Sequence, residues 1–186
     1  MTIAQALAPP AFRAALPPRF QEIFDFWLAA RGARAVPLKA DIDPLRMPSG
    51  LLPFLAITER GPDGRLRYRL AGTGVVAAVG REITGKYPDE LISNADYLKH
   101  LLGLYDWVMS EGMCIYNEGE HSAFGGLPRR VARLMMPVSS HGEGVDMVLS
   151  MQIYTNLIVP SEDAPAELWP PRAYSPLAEI RMAGVV

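Results

Sequence analysis

The sequence is poor in most of what carries chemistry. It holds one cysteine, Cys114, in 186 residues. No disulfide can form within the chain, and no CxxC metal or redox pair exists. It has 3 histidines, none in HExxH or HxxxH spacing, so no metalloprotease-type zinc site is written in it. Gly-Lys-Ser/Thr is missing, which removes the Walker loop. G-x-S-x-G is missing too, which removes the serine-hydrolase elbow. Charge of one sign is not in excess: Lys+Arg 18 against Asp+Glu 20 gives a net charge of −2. Nothing in that balance favours nucleic acid or an anionic bilayer. No apolar run is long enough to span a membrane, and the first residues lack the basic-then-apolar layout of a secretory signal. The expectation is a cytoplasmic protein that binds neither nucleic acid nor membrane.

What is present is enough for a core. Hydrophobic residues make up 49% and charged residues 20%, the balance of a globular domain. Residues 1–17 are rich in Ala and Pro and read as a loose arm. From Pro18 to Arg31 apolar residues recur at helical spacing: Phe20, Ile23, Phe24, Trp27. Pro18 suits the first turn and Gly32 the C-terminal cap. So apolar a helix must dock, on its own sheet or on a second copy. A breaker-rich segment follows, then a strand over Leu51–Arg60, a turn at Gly61-Pro62-Asp63-Gly64, and a strand over Arg65–Leu70. A longer helix opens at Asn94 or Asp96 and ends at Gly112. Three strands come after it: Met113–Asn117, Leu127–Val138 and Val145–Ile158. The Pro-rich stretch 159–186 reads as an irregular tail.

The stretch RYRLAGTGVVAAVG (Arg67–Gly80) poses the main choice. Gly72-Thr73-Gly74 after a strand and before a helix is the start of a dinucleotide loop. Such a loop needs a buried parallel strand in front of it. Here Arg65, Arg67 and Arg69 line one face of the strand, and a tight hairpin enters it. That is antiparallel geometry, with Leu66, Tyr68 and Leu70 as the buried face. Gly72 and Gly74 then read as turn glycines leaving the strand. Strands, helices and three further strands in this order make an α+β layer.

In that order, Trp27, "RGARAVPLKADIDP", "LLPFLAITE", "DGRLRYRLAGTGV" and "GREITGKYPDEL" resemble the PAS domain, in its single-domain bacterial form common in alphaproteobacteria. The resemblance covers about Phe20 to Leu157. It implies a five-stranded antiparallel sheet with helices on one face, with an N-terminal helix and an irregular C-terminal tail added. The domain would be 18–158. It implies a bacterial signalling module without catalysis, acting through protein–protein contacts. The alternative is a small-molecule sensor whose apolar cavity sets its oligomeric or partner-binding state. An α+β barrel enzyme would need an inward acid or histidine, and the alternation offers none. The resemblance also implies a homodimer formed through the N-terminal helix and the outer sheet face, and a signalling partner that the sequence does not name.

Candidate site residues follow from the alternation. With Leu66, Tyr68 and Leu70 inward, the last strands add Leu134, Met136, Met147, Leu149 and Met151. Methionine adapts to irregular space, so this face is either a cavity for a small apolar ligand or plain core. The ligand-facing set is Tyr68, Trp107, Tyr116, Met136, Met147 and Met151. The outer face offers Arg65, Arg67 and Arg69, with Arg129 and Arg133 on the same side. Phe20, Phe24, Trp27, Arg67, Arg69 and Arg133 form the expected interface. No cofactor is expected. His100 sits beside Lys99 on the long helix, where a solvent-side histidine is the plainer reading than a haem ligand. Cys114 lacks the Asn-Cys-Arg-Phe-Leu setting of flavin-linking PAS domains and reads as a buried thiol. His121 and His141, among Glu118, Glu120 and Glu143, read as solvated loop residues.

Overall fold

The computed structural model describes residues 8–121, 129–156 and 172–174. Five helices and six strands follow one another along them. In order these are α1 (Pro9–Ala14), α2 (Pro18–Arg31), β1 (Leu55–Arg60), β2 (Leu66–Ala71), α3 (Thr73–Val79), α4 (Pro88–Leu91), α5 (Ala95–Glu111), β3 (Cys114–His121), β4 (Arg129–Val138), β5 (Met147–Asn156) and β6 (Arg172–Tyr174). The strands form one antiparallel sheet in the order β2-β1-β5-β4-β3-β6. Its first five members are the expected five-stranded antiparallel sheet. The sixth comes from the stretch expected to be an irregular tail, where Cys114 pairs with Tyr174 across the β3–β6 ladder. The rest of that tail lies outside the described residues.

Both faces of the sheet are covered. On one, α1 and α2 dock Phe12, Phe20, Phe24 and Trp27 onto Leu134, Met136, Met147, Leu149 and Met151. Trp27 is fully buried, stacks on Phe24 and donates its indole N–H to the Pro137 carbonyl at 2.8 Å. The expected loose arm is therefore corrected from residue 8 onward. Pro9 starts a short helix, and Phe12 and Leu16 reach the same core as α2. On the other face, α3, α4 and α5 cover Leu66, Tyr68, Ile115, Met135 and Val148.

The strand expected over Leu51–Arg60 begins only at Leu55. Ser49–Phe54 is a 3-10 turn instead. That turn explains the glycines of the opening stretch. A Cβ on Gly72 would stand 2.3 Å from the Leu52 carbonyl oxygen and 2.4 Å from that of Pro53. A Cβ on Gly74 would stand 2.9 Å from the latter. Gly72 has φ −68, open to any residue. These glycines are there for close backbone approach, not for turn dihedrals.

Strand β2 departs from strict alternation at its end. Ile57 pairs with Leu70 and Thr58 with Tyr68, so Arg69 is an extra residue in a bulge. The bulge turns Leu70 outward, leaving it 39% exposed. It also lets Arg67 and Arg69 both donate to Glu59.

Candidate functional site

The site lies between the sheet and α3–α5. The register of β3, β4 and β5 puts Asn117, Arg133 and Gln152 in one row, since Arg133 pairs with both neighbours. Tyr154 and Thr58 lie on the same face of the sheet, and Tyr97, His100 and Tyr105 come down from α5. A cavity of about 10 Å³ opens here, room for one water-sized group. Its polar wall is Tyr68, Tyr97, Arg133, Gln152 and Tyr154. Its apolar wall is Val75 and Val79 of α3 with Ile83, Ile92 and Leu101.

Arg133 dominates the electrostatics. It is 2% exposed. Its Nη2 donates to the Tyr97 hydroxyl at 2.9 Å, and its Nε is buried without a hydrogen-bond partner. No carboxylate among the described residues forms an ion pair with it. Burial works to lower its pKa. The neighbouring tyrosines work the other way and leave it above the ordinary arginine value. The guanidinium is therefore charged at neutral pH. Burial, with smaller effects of its neighbours, pushes Tyr68 well up, and burial likewise raises Tyr105 and Tyr154. Those phenols are neutral at neutral pH and supply no anion. His100 is held below the usual histidine value, first by burial and then by Arg133. Its Nε2 is buried without a partner, as is Oδ1 of Asn117.

Other hydrogen bonds fix the remaining polar groups. The Tyr154 hydroxyl donates to Gln152 Oε1 at 2.8 Å, and Gln152 Nε2 donates to Ser150 Oγ at 3.2 Å. Thr58 and Tyr105 share a hydrogen bond of 3.0 Å. A buried cation in this frame can neutralise an anion and orient it. The lining residues include no carboxylate, thiol or imidazole, and among the described residues no group of His, Cys, Asp and Glu could hold a metal ion.

The expected site residues are divided by the sheet. Tyr68 lines the cavity. Trp107 is half-buried and packs beside the same core without lining the cavity. Tyr116, Met136, Met147 and Met151 lie on the opposite face, under α1 and α2. Tyr116 meets the ring of Phe20 edge-on, with centroids 5.2 Å apart. Phe20, Phe24 and Trp27, expected at an interface, are consumed within the chain's own core. Arg67 and Arg69 are exposed and engaged by Glu59. Arg133 is the sharpest correction. Expected beside Arg67 on the outer face, it shares the face of Tyr68 instead, because the β4–β5 register pairs it with Gln152. Asn117, Tyr97, Gln152 and Tyr154 escaped sequence reasoning altogether. Cys114 is buried on the α2 side of the sheet, away from the cavity, with its thiol pushed well up by burial. His141 is exposed, and the side chain of His121 lies outside what is described.

No helix among the described residues is long and apolar enough to cross a membrane. Among solved structures, the chain is similar to a LOV protein of Rhodobacter sphaeroides at 15% identity and a TM-score of 0.43, over 59% of this chain and 61% of that one. It is similar to a d2 variant of RsLOV at 18% identity and a TM-score of 0.42, over 59% and 61% of the two chains. The matched part thus spans about three-fifths of those chains. No curated protein matches. The family description "PAS domain" matches residues 16–149, which takes in α2, β1 to β4, the first residues of β5 and all the helices that wall the cavity, and the chain belongs to the PAS domain family.

Proposed function

We propose that this PAS domain is a small-molecule sensor, with the cavity beside Arg133 as its ligand site and protein contact as its output. One observation carries the reading. Arg133 is charged, buried and short of one hydrogen-bond partner at the wall of a cavity. An uncompensated buried cation costs several kcal/mol, and stability alone gives no reason to keep it. A bound ligand gives one. The cavity has room for one water-sized group, so a larger ligand enters only if the part of its apolar wall built from the seven-residue α3 and the segment after it moves.

The module is non-catalytic in this reading: the cavity offers binding groups and no base or nucleophile. Its output passes to a signalling partner or to a second copy of the chain, with a cytoplasmic bacterial setting. A pure interaction module without a ligand has less support, since Phe20, Phe24 and Trp27 already pack inside the chain.

The test is native mass spectrometry of the full chain purified from its own host, with denaturation to release small molecules. The expected result is a mass excess over the polypeptide that denaturation releases. A bare polypeptide mass, with no stabilisation by any fraction of the host's metabolite extract, would refute the sensor reading.

A further inference from the structure

The charge and shape of the cavity narrow the ligand class. This step rests on the sensor reading above. Arg133 is the one charged residue among those that line the cavity. One guanidinium balances one negative charge. No lysine or second arginine lines the wall, so a dianion such as a phosphate monoester would enter with half its charge unmatched. The guanidinium fork matches the two oxygens of a carboxylate. The Nε–H that lacks a partner is one tine of that fork. Across the cavity the wall is aliphatic: Val75, Val79, Ile83, Ile92 and Leu101. We propose that the ligand is a monocarboxylic acid, its carboxylate paired with Arg133 through Nε and its apolar part set against the wall formed by α3 and Leu101.

The surroundings agree with such a head group. The Tyr97 hydroxyl accepts from Arg133 Nη2 and so fixes one side of the guanidinium at the cavity wall. The Tyr154 hydroxyl donates to Gln152 and lies close enough to Arg133 to feel its charge, but both residues are neutral and leave that charge unbalanced. No carboxylate of the described residues stands close enough to repel the ligand by ion-pairing in its place.

The experiment compares acids with their uncharged counterparts on the full chain. The probes are acetate, propionate and benzoate against acetamide, propionamide and benzamide, by calorimetric titration and thermal melting. Ionic strength is matched with sodium chloride throughout. The expected result is that at least one acid binds at least tenfold tighter than its amide. Arg133→Gln abolishes that binding. Arg130→Gln, an exposed arginine on the same strand that pairs with Glu118, keeps it. Should Arg133→Gln not fold, Arg133→Lys carries the test: it keeps the charge, loses the fork and weakens the acid at least tenfold. The acid–amide comparison on the unaltered protein stands whatever the variants do. Amides that bind as tightly as acids overturn the carboxylate assignment and leave the sensor reading standing. Equal stabilisation by sodium chloride alone, or an Arg133→Gln variant that binds acids unchanged, also overturns it. Binding of neither acids nor amides overturns the inference, and if the host-purified protein is also bare, the sensor reading falls with it.

Discussion

Replacing Trp27 by alanine tests whether α2 is a structural part of this domain. The indole is fully buried between Phe24 and the sheet. Its ring lies 6.0 Å from that of Phe24 at an interplanar angle of 9°, and its N–H reaches the Pro137 carbonyl on β4. Truncating a buried tryptophan costs about 3–5 kcal/mol. The hydrogen bond contributes about 1 kcal/mol of that. Strand pairing fixes the backbone of Leu134, Met136 and Met151, so only their side chains can relax into the gap, and a loss within that range of about 3–5 kcal/mol is expected. For a chain of this size, that is a drop in Tm of roughly 6–20 °C. Trp27→Phe narrows the two contributions, since it keeps one buried ring and loses the donor with the smaller ring of the indole. It should cost about 1–2 kcal/mol. Urea unfolding followed by circular dichroism reads both variants. A Trp27→Ala loss below about 1 kcal/mol, with an unchanged urea dependence, would show that α2 is not docked on the sheet.

Arg133→Met replaces an unpaired buried cation by an apolar chain of similar length. It should raise the stability of the ligand-free protein by about 1–4 kcal/mol, and a urea midpoint that falls instead would mean that the cation is already compensated. Gly72→Ala should destabilise by about 1–3 kcal/mol, through overpacking against Leu52 and Pro53. Gly50→Ala, which meets nothing within 4 Å, should be close to neutral, and equal melting of the two would refute the close-approach reading. Burial and then Arg133 lower the pKa of His100 from 6.5 in the folded state, so the unfolded chain takes up the proton more readily. Stability should fall as pH drops below about 6.5 and level off once pH passes the folded value. His100→Asn should flatten that slope relative to the parent, and identical urea midpoints against pH in the two proteins would sink it.

Much of the architecture was legible because each signal was local. The α2 helix is bounded by Pro18 and Gly32, and its observed span is Pro18–Arg31. Asn94 caps α5 through its side chain, and Gly112 ends it at positive φ. Strand β2 showed its faces because one of them meets solvent: Arg67 is exposed while Leu66 and Tyr68 are buried. What failed was parity in the central strands. Strands β4 and β5 have apolar residues on both faces, because helices cover both. Alternation tells inside from outside only where an outside exists. Grouping the arginines of β2 with those of β4 by charge then shifted the whole set by one residue, and a one-residue shift exchanges every side chain between faces. The methionines went to the wrong layer for that reason, and so did Arg133. The bulge at Arg69 was equally hidden, since it exists only in the pairing with Ile57 and Thr58.

The site could have been found from that same central strand. In RRVARLMMPV, Arg129 and Arg130 stand at the entrance of β4, and the exposed Arg130 pairs with Glu118. Arg133 stands further in, with Ala132 and Leu134 beside it. A strand whose two faces are both apolar has no solvent side, so a charge in its middle has nowhere to go but inward. An arginine there is either paired by a carboxylate on a neighbouring strand or kept for something that is not part of the chain. The neighbours that the register supplies are Asn117 and Gln152, polar and uncharged. Neither can neutralise the guanidinium, whose Nη2 donates to Tyr97. The residues that make the cavity look least like an apolar pocket are thus the ones on which the sensor reading rests, and in that reading the missing negative charge is the ligand's.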